Sequence, residues 1–401
     1  VCSSDLLPLL VALAWPLAGA RGRRPAGIRT WAACALTLAG VSAVWILPAL
    51  ANGTGSAPGA AAAFRARADT PLGTVLSLVS TGGMWNVASH PPGRSALLPA
   101  LIATLLALLA AATVAGGMRR ALAGQLLLAA GGCSLLVVCC SVLPGVRSLW
   151  DAVIAAVPGG GLLRDSHKVL AAWTVLVAAG TGLLVDRVAH AVRPAALVPV
   201  AAATVALLPP ALLPALAWGS GGRLAAVSVP GECTQVARVL SAASEGVVGV
   251  LPWGQYRRYA WNGDRISLSL APRLITQQTL VDDTLPTTAG PVAGEDRLAA
   301  AVTQSIAQGA APASALAANG VRYAFIEKAA GEPKPVLAPG ATVLAETSCA
   351  LAVDLSPTSR PAYAGPPPWV PAAGWAAFGL TIALLLAGVI RGRLAGRQPP
   401  E

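Results

Sequence analysis

The sequence contains few charged residues, and this scarcity excludes an ordinary soluble domain. Only 11% of its 401 residues are Asp, Glu, Lys or Arg, whereas 55% are hydrophobic and the mean hydropathy is +0.66. Ionisable residues are almost absent from the apolar runs themselves. This argues against a transporter, because transporters place such residues along their ion or substrate pathways. The composition indicates a polytopic membrane protein.

The chain also lacks the sequence patterns of soluble enzymes and of metal centres. Its three histidines, His90, His167 and His190, lie on different loops without a partner at a metal-ligand spacing. It contains no G-x-S-x-G elbow, no P-loop and no Rossmann glycine fingerprint. We therefore expect no structural zinc and no cofactor, and the sequence leaves only a divalent cation open.

Seven apolar runs are candidate transmembrane helices, each of which needs about 20 residues. The arginines cluster in alternate connections between these runs, and cytoplasmic loops characteristically collect Lys and Arg. The side with the arginines, including the C-terminus, is therefore predicted to be cytoplasmic. The predicted fold class is a polytopic α-helical membrane protein with about seven spans, at residues 6–20, 30–51, 96–117, 121–142, 169–185, 195–218 and 371–390.

This threading places residues 52–95, 143–168 and 219–370 on the extracytoplasmic side. The transmembrane region then covers 1–218, and residues 371–401 form a last helix with a basic tail. Residues 219–370 alternate strand-like and helix-like pieces, which indicates one α/β domain. Strands are expected at 224–230, 246–252, 319–327 and, as a pair, 341–355, and helices at 234–244 and 295–309.

The net charge of +11 does not indicate a nucleic-acid partner. Residues 219–370 contain eleven basic and eleven acidic residues, so the excess lies mainly in the predicted cytoplasmic loops and tail. Membrane topology accounts for it.

Two cysteines, Cys233 and Cys349, fall within the predicted outer domain. An extracytoplasmic compartment permits disulfides, so we predict a bridge that ties the first helix of the domain to its final hairpin. Two free thiols are the alternative. Four other cysteines lie within apolar spans, where thiols usually only pack.

The segment RDSHK, residues 164–168, lies where the span 169–185 begins. Asp165 or Ser166 could cap that helix. Lys168 is unusual there because a cation opposes the positive end of the helix dipole, and a bound phosphate would relieve this conflict. The candidate phosphate site consists of Arg164, Asp165, His167 and Lys168. The alternative is that Arg164 and Lys168 extend to lipid headgroups.

A second polar segment, LPWGQYRRYAWNGDR, residues 251–265, combines aromatic rings with hydrogen-bonding groups. Sugar sites use this mixture, because rings stack on C–H faces while charged and amide groups bind hydroxyls. A domain lying on the membrane surface would use the same residues, since Trp and Tyr favour the interface. The candidate glycan-binding residues are Trp253, Tyr256, Arg257, Arg258, Trp261, Asn262 and Asp264, with Tyr259 and Arg265 beside them.

The first residues, VCSSDL, match the translation of a common sequencing-adapter end. We expect residues 1–6 to be an artefact of cloning or assembly, and further spans to precede them in the natural protein. A signal peptide is the alternative, although it would carry a basic residue before its apolar run.

Three segments together resemble parts of actinobacterial membrane proteins related to GT-C glycosyltransferases and to YfhO-type proteins, which implies a bacterial plasma membrane. They are LLRDSHK before a span, LPWGQYRRYAWN and ANGVRYAFIE. The resemblance covers about residues 70–390. It implies a polyprenyl-phosphate sugar donor contacted by Arg164 and Lys168, with assistance from His167, and an acceptor glycan held by the outer domain. The catalytic carboxylate of such enzymes usually lies in the first outer loop, which would precede Val1, so the catalytic residue here is unknown.

Two hypotheses follow from the sequence. The first is the C-terminal part of a GT-C-like enzyme that transfers sugar from a polyprenyl-phosphate donor to a cell-envelope glycan on the outer face. The second is a non-catalytic membrane scaffold or lipid-glycan binding protein of the cell envelope. Both hypotheses have membrane lipids as partners.

Overall fold

The computed structural model describes residues 28–52, 60–118, 120–156, 163–222, 224, 226–287, 290–328, 336–356 and 367–395. The predicted span 6–20 and the segment 1–6 lie outside these residues. The chain forms two compact units, Val1–Leu224 with Pro366–Glu401, and Ala225–Gly365. The sequence analysis placed the corresponding boundaries at 219 and 370.

The first unit, called the membrane unit below, consists of helices. They are α1 (Ile28–Asn52), α2 (Ala60–Ala63), α3 (Gly73–Val79), α4 (Leu97–Gly117), α5 (Leu122–Val142), α6 (Arg147–Ala156), α7 (Ala171–Ala191), α8 (Val198–Leu212) and, after the second unit, α13 (Trp369–Ala395). Short 3₁₀ turns lie at Val87–Ser89, Pro92–Ser95, Ser166–Leu170, Ala195–Leu197 and Pro214–Leu216.

Five helical segments of the described chain are long and apolar enough to cross a membrane. They are Leu97–Gly117, Leu122–Val142, Ser166–Ala191, Ala195–Leu212 and Trp369–Gly388. A further apolar stretch, Ala35–Ala51 within α1, is shorter. The chain is therefore a multi-pass membrane protein, and five of the seven predicted spans correspond to these segments.

Small residues set the distance between α1 and α13, which pack against each other. A Cβ atom on Gly374 would lie 2.9 Å from the carbonyl oxygen of Ala43, and one on Gly40 would overlap the side chain of Thr381. Such close backbone approach is typical of helix packing in membranes, where van der Waals contact replaces the hydrophobic effect as the driving force.

The second unit, for which the name outer domain is kept from the sequence prediction, contains short strands and helices. The strands are β1 (Val248–Leu251), β2 (Tyr256–Arg258), β3 (Ile266–Leu268), β4 (Thr279–Leu280), β5 (Leu285–Thr287), β6 (Gly290–Val292), β7 (Tyr323–Glu327), β8 (Thr342–Glu346) and β9 (Ala350–Asp354). Five of them form one sheet in the order β4-β1-β7-β9-β8. Strands β4, β1 and β7 are parallel, whereas β9 runs antiparallel to both β7 and β8. Two antiparallel hairpins, β2–β3 and β5–β6, lie outside this sheet.

Helices cover both faces of the five-stranded sheet. On one face α9 (Gly231–Ala242) packs Val236 and Leu240 against alternate residues of β1 and β7, together with α10 (Ala271–Leu274). On the other face lie α11 (Arg297–Ala307) and α12 (Pro312–Ala318). Strands covered on both faces are mostly apolar, and β1 and β7 are accordingly buried along their whole length, with Glu327 at the end of β7 as their one charged residue.

Most strands and helices predicted for the outer domain are present. The strands at 246–252 and 319–327, the pair within 341–355 and the helix at 295–309 are shorter than predicted, whereas the helix predicted at 234–244 runs from Gly231 to Ala242. Residues 226–230 form no strand, because this valine-containing segment has no neighbour in the sheet and leads directly into α9. The two hairpins outside the main sheet were not predicted.

The predicted disulfide is confirmed. Cys233 in α9 is bonded to Cys349 in the turn between β8 and β9, with 5.2 Å between their Cα atoms. The bridge therefore ties the first helix of the domain to its final hairpin. Of the cysteines in the described spans, Cys133, Cys139 and Cys140 are free.

Candidate functional site

The last three residues of the segment RDSHK begin a 3₁₀ turn, Ser166–Leu170, that continues directly into α7. The turn is fixed to α5 by two buried hydroxyl groups. Ser166 Oγ lies 2.8 Å from Ser141 Oγ, and Ser134 Oγ donates to the carbonyl oxygen of Val169 at 2.6 Å. The backbone of the segment is thus held rigidly while its charged side chains remain partly exposed.

The expected helix cap is not formed. Neither Asp165 nor Ser166 caps the turn with its side chain. Asp165 instead pairs its Oδ2 with Lys168 Nζ at 3.2 Å, and Ser166 bonds Ser141. The carboxylate next to Lys168 therefore already offsets the unfavourable position of this cation near the start of a helix.

The remaining charged groups of this segment face other partners. The guanidinium of Arg164 lies over the ring of Phe64, 4.8 Å from its centroid. His167 is half-buried and within electrostatic reach of Asp165 and of Asp69. Oδ1 of Asp165 is buried and has no hydrogen-bond partner among the described residues. This oxygen is an acceptor that a ligand hydroxyl could satisfy.

A buried ion pair that the sequence analysis missed lies in the same unit. Arg94 Nε lies 2.7 Å from Asp69 Oδ2, and both side chains are almost fully buried. The guanidinium also donates to the carbonyl oxygen and to Oγ of Ser80. Arg94 borders a largely apolar cavity of about 330 Å³ that α4, α7 and α8 also line. No sequence periodicity predicts the Asp69–Arg94 pair, because the two residues lie on separate turns of one loop.

The polar pocket of the outer domain, called the outer pocket below, has a volume of about 460 Å³. It lies where the parallel strands β1 and β7 end, at Pro252 and Glu327. Loops at the carboxyl ends of parallel strands are the usual ligand position in α/β folds. Its lining residues are Pro252, Tyr256, Arg257, Arg258, Tyr259, Ile266, Glu327 and Lys328.

Glu327 is the centre of the hydrogen-bond network in the outer pocket, and its carboxylate is buried. Oε2 pairs with Arg257 Nε, while Oε1 accepts bonds from Tyr259 Oη at 3.0 Å and from Ser269 Oγ at 2.9 Å. Burial, and then the charge of Glu327, raise the pKa of the Tyr259 hydroxyl above its usual value. The hydroxyl therefore stays protonated and keeps donating to the carboxylate.

The candidate glycan-binding residues divide into two groups. Tyr256, Arg257 and Arg258 line the outer pocket. Trp261 lies beside it, because its ring stacks on Tyr259 with 4.7 Å between centroids. Sequence reasoning missed Glu327, the last residue of β7, and Lys328, which follows it, because both lie far along the chain from the predicted segment.

The other three candidates have local roles. Trp253 packs against the core and donates from its Nε1 to Thr303 Oγ1 at 2.9 Å. The side chain of Asn262 points to the carbonyl oxygen of Arg265 at 3.5 Å. Asp264 contributes its backbone carbonyl oxygen, which accepts a hydrogen bond from Arg258. None of the three is among the residues that line the pocket.

Within the described parts of the chain, no group of three or more His, Cys, Asp or Glu side chains could hold a metal ion.

Comparison with known proteins gives a structural neighbour for this multi-pass membrane chain with an α/β domain. No family model matches the sequence, and no curated protein matches it. Among solved structures, the chain is similar to the arabinofuranosyltransferase AftD from Mycobacteria, solved by single-particle cryo-EM. The TM-score is 0.43 at 17% sequence identity, and the alignment covers 87% of this chain and 26% of that chain. The chain thus spans about a quarter of the neighbour's length.

Proposed function

We propose that this chain belongs to a membrane glycosyltransferase of GT-C type, which transfers sugar from a polyprenyl-phosphate donor to a cell-envelope glycan on the outer face. The outer pocket, attached to a multi-pass membrane unit, is the observation that carries this proposal. In this proposal the acceptor glycan binds in the outer pocket against Tyr256, and the donor phosphate binds at the RDSHK segment of the membrane unit.

The outer pocket suits a carbohydrate for three reasons. Its volume is within the range of about 300–1,000 Å³ that small-ligand sites have. Tyr256 is 40% exposed and offers a ring face for the C–H side of a sugar. Arg258 and Lys328 supply donors for hydroxyl oxygens, while the Glu327 network keeps the pocket wall rigid.

The RDSHK segment supplies what a departing polyprenyl phosphate needs. Lys168 has a side chain that is 47% exposed, so its ammonium group remains accessible beside Asp165. A phosphate that carries more negative charge than one carboxylate competes for this ammonium group, and the cation then stabilises the leaving group. Arg164 adds a second cation, and the unsatisfied Oδ1 of Asp165 accepts a hydroxyl of the donor sugar.

Glycan binding tests the proposal directly. The full chain, purified in neutral detergent, is titrated by calorimetry with arabinofuranose, galactose and mannose tetrasaccharides. Tyr256→Ala is expected to weaken the binding of a recognised tetrasaccharide about tenfold, because it removes the stacking face. Tyr256→Phe keeps the ring and is the matched control, so it retains most of the affinity.

The second hypothesis, a non-catalytic lipid-glycan binding protein, uses the same two sites. The Asp165–Lys168 pair favours it in one respect, because a compensated lysine is a weaker stabiliser of developing charge than a free one. Sugar transfer from a radiolabelled polyprenyl-phosphate sugar, measured in membranes that contain the whole natural protein, separates the two. Transfer that Lys168→Gln abolishes supports the enzyme, and glycan binding without any transfer supports the carrier.

A further inference from the structure

The outer pocket contains a positive charge that its surroundings do not neutralise. We infer that the glycan bound there is acidic, and that Arg258 binds its carboxylate or another single anionic group. This inference rests on the glycan site proposed above and adds the charge class of the ligand. It follows from the hydrogen-bond and ion-pair partners of the three cations of the pocket.

Arg257 is neutralised within the protein. Its side chain is only 10% exposed and pairs with the buried carboxylate of Glu327. The guanidinium also donates to the carbonyl oxygens of Pro252 and Gly254, both at 2.6 Å. With its donors directed into the backbone and Glu327, Arg257 forms the wall of the pocket.

Lys328 is also neutralised. Its Nζ lies 2.6 Å from Oε1 of Glu346 and donates to the carbonyl oxygen of Thr347 at 2.8 Å. The Lys328–Glu346 pair is partly exposed, so it adds little net field at the pocket.

Arg258 differs from both of these cations. Its guanidinium donates to the backbone carbonyl oxygen of Asp264 at 3.0 Å. No ion pair joins it to an acidic side chain among the described residues. The side chain is exposed and lines the pocket. A guanidinium with free N–H groups and no carboxylate partner is well suited to bidentate binding of a ligand carboxylate.

The strand geometry places this charge beside an apolar surface. Tyr256 and Arg258 are two residues apart on β2, so their side chains lie on the same face of the hairpin. Across the hairpin they pair with Leu268 and Ile266, and Ile266 also lines the pocket. A sugar ring lying on Tyr256 and Ile266 would thus place a ring carboxylate next to Arg258, as in a uronic acid.

An anionic phospholipid headgroup is the alternative ligand for Arg258. Recognition of anionic membrane surfaces uses clusters of about four to eight basic residues. The outer pocket has one uncompensated arginine within a concave site whose other two cations are paired. The observations therefore favour an acidic sugar over a lipid surface.

Calorimetry on the full chain in neutral detergent tests the inference with two probes that have the same four sugar rings. Tetragalacturonate is compared with its methyl ester at neutral pH, which changes the charge and keeps the rings. The acid is expected to bind about tenfold more tightly, because a charge-assisted bidentate contact is lost in the ester. Arg258→Gln should remove this difference and Arg258→Lys should restore part of it. Arg238→Gln, which changes an exposed arginine on α9, should leave it intact.

The outcomes separate the inference from the function on which it rests. Equal binding of acid and ester, weakened in both cases by Tyr256→Ala, overturns the acidic ligand and leaves the glycan site standing. If neither these probes nor the neutral tetrasaccharides bind, both proposals fail. A preference for the acid that survives Arg258→Gln overturns the role of Arg258. If the acid is displaced by phosphatidylglycerol but not by phosphatidylcholine, and Arg258→Gln prevents the displacement, the site is a lipid-headgroup site and the inference is overturned.

Discussion

The hydroxyl of Tyr259 donates a hydrogen bond of 3.0 Å to Oε1 of Glu327, although 68 positions separate the two residues in the sequence. This bond joins the β2–β3 hairpin, on one side of the outer pocket, to the end of the parallel strand β7. It is a contact that only the folded domain creates, and it gives the pocket a measurable dependence on pH.

Stability of the outer domain is expected to fall in alkaline solution because of Tyr259. Burial and Glu327 raise the pKa of its hydroxyl above the ordinary value of about 10. A raised pKa means that the stabilising contribution is complete below this ordinary value and is lost as pH rises through the higher folded value. Tyr259→Phe should lower the free energy of unfolding by about 1–3 kcal/mol at neutral pH and weaken its alkaline dependence.

Tyrosinate absorbance during an alkaline titration checks this prediction. The Tyr259 hydroxyl should contribute to the absorbance step that accompanies alkaline unfolding of the outer domain. In Tyr259→Phe that step should be smaller by one tyrosine. An unfolding step of unchanged size in the variant would contradict the prediction.

The Arg257–Glu327 pair should be far more important for stability than the neighbouring Lys328–Glu346 pair. Glu327→Ala leaves a buried guanidinium without its carboxylate, which typically costs about 3–5 kcal/mol. Glu346→Ala breaks a partly exposed pair and should cost about 0–1 kcal/mol. Resistance of the outer domain to limited proteolysis, in increasing urea, measures both. Equal losses for the two variants would contradict the assignment of Glu327 as the buried centre of the network.

Loss of the disulfide should destabilise the outer domain markedly. Cys233 and Cys349 are 116 positions apart, and removing a bridge across a loop of this length typically costs about 2–5 kcal/mol. Peptide mapping without reductant should recover the two cysteines in one linked pair. Cys133, Cys139 and Cys140 should react with an alkylating reagent after denaturation. Alkylation of Cys233 under the same non-reducing conditions would contradict the bridge.

Gly82→Ala should destabilise the membrane unit. A Cβ atom at this position would overlap the guanidinium of Arg94 and the carboxylate of Asp69, so the buried pair would have to shift. Overpacking of this kind costs about 1–3 kcal/mol. Gly132→Ala in α5 is the matched control, because a Cβ there meets no atom within 4 Å. Thermal unfolding in detergent, followed by a thiol-reactive dye that reports exposure of Cys139 and Cys140, compares the two variants.

Substitutions of Lys168 and Asp165 should change phosphate binding in opposite directions. Lys168→Gln removes the cation and should weaken the binding of farnesyl phosphate about tenfold. Asp165→Asn removes the carboxylate that competes for Lys168 at 3.2 Å and should tighten binding. Arg147→Gln changes an exposed cation at the start of α6 and serves as the control. Calorimetry in neutral detergent measures all three, and unchanged binding in Lys168→Gln would exclude this residue from a phosphate site.

Much of the architecture could be predicted from the sequence, because it depends on local composition. A helix must satisfy its own backbone in a membrane, so a run of about 20 apolar residues such as 97–117 already defines a spanning segment. The strand 248–251 is apolar throughout, and the strand 323–327 is apolar up to its last residue, Glu327, which is sufficient to predict a buried sheet. The disulfide followed from the small number of cysteines in the outer domain.

The sites depended on contacts between distant residues, and the tertiary structure decided them. The sequence grouped Trp253 with Tyr256 because they are neighbours in the chain, yet Trp253 packs towards the core while Tyr256 lines the pocket. Glu327 joined the pocket only because β7 lies beside β1 in the sheet. Local sequence thus determined which segments cross the membrane or form strands, since hydrophobic burial acts on each segment separately. Which charges are paired, as for Arg257, and which are not, as for Arg258, depended on the packing that brings distant carboxylates within a few ångströms.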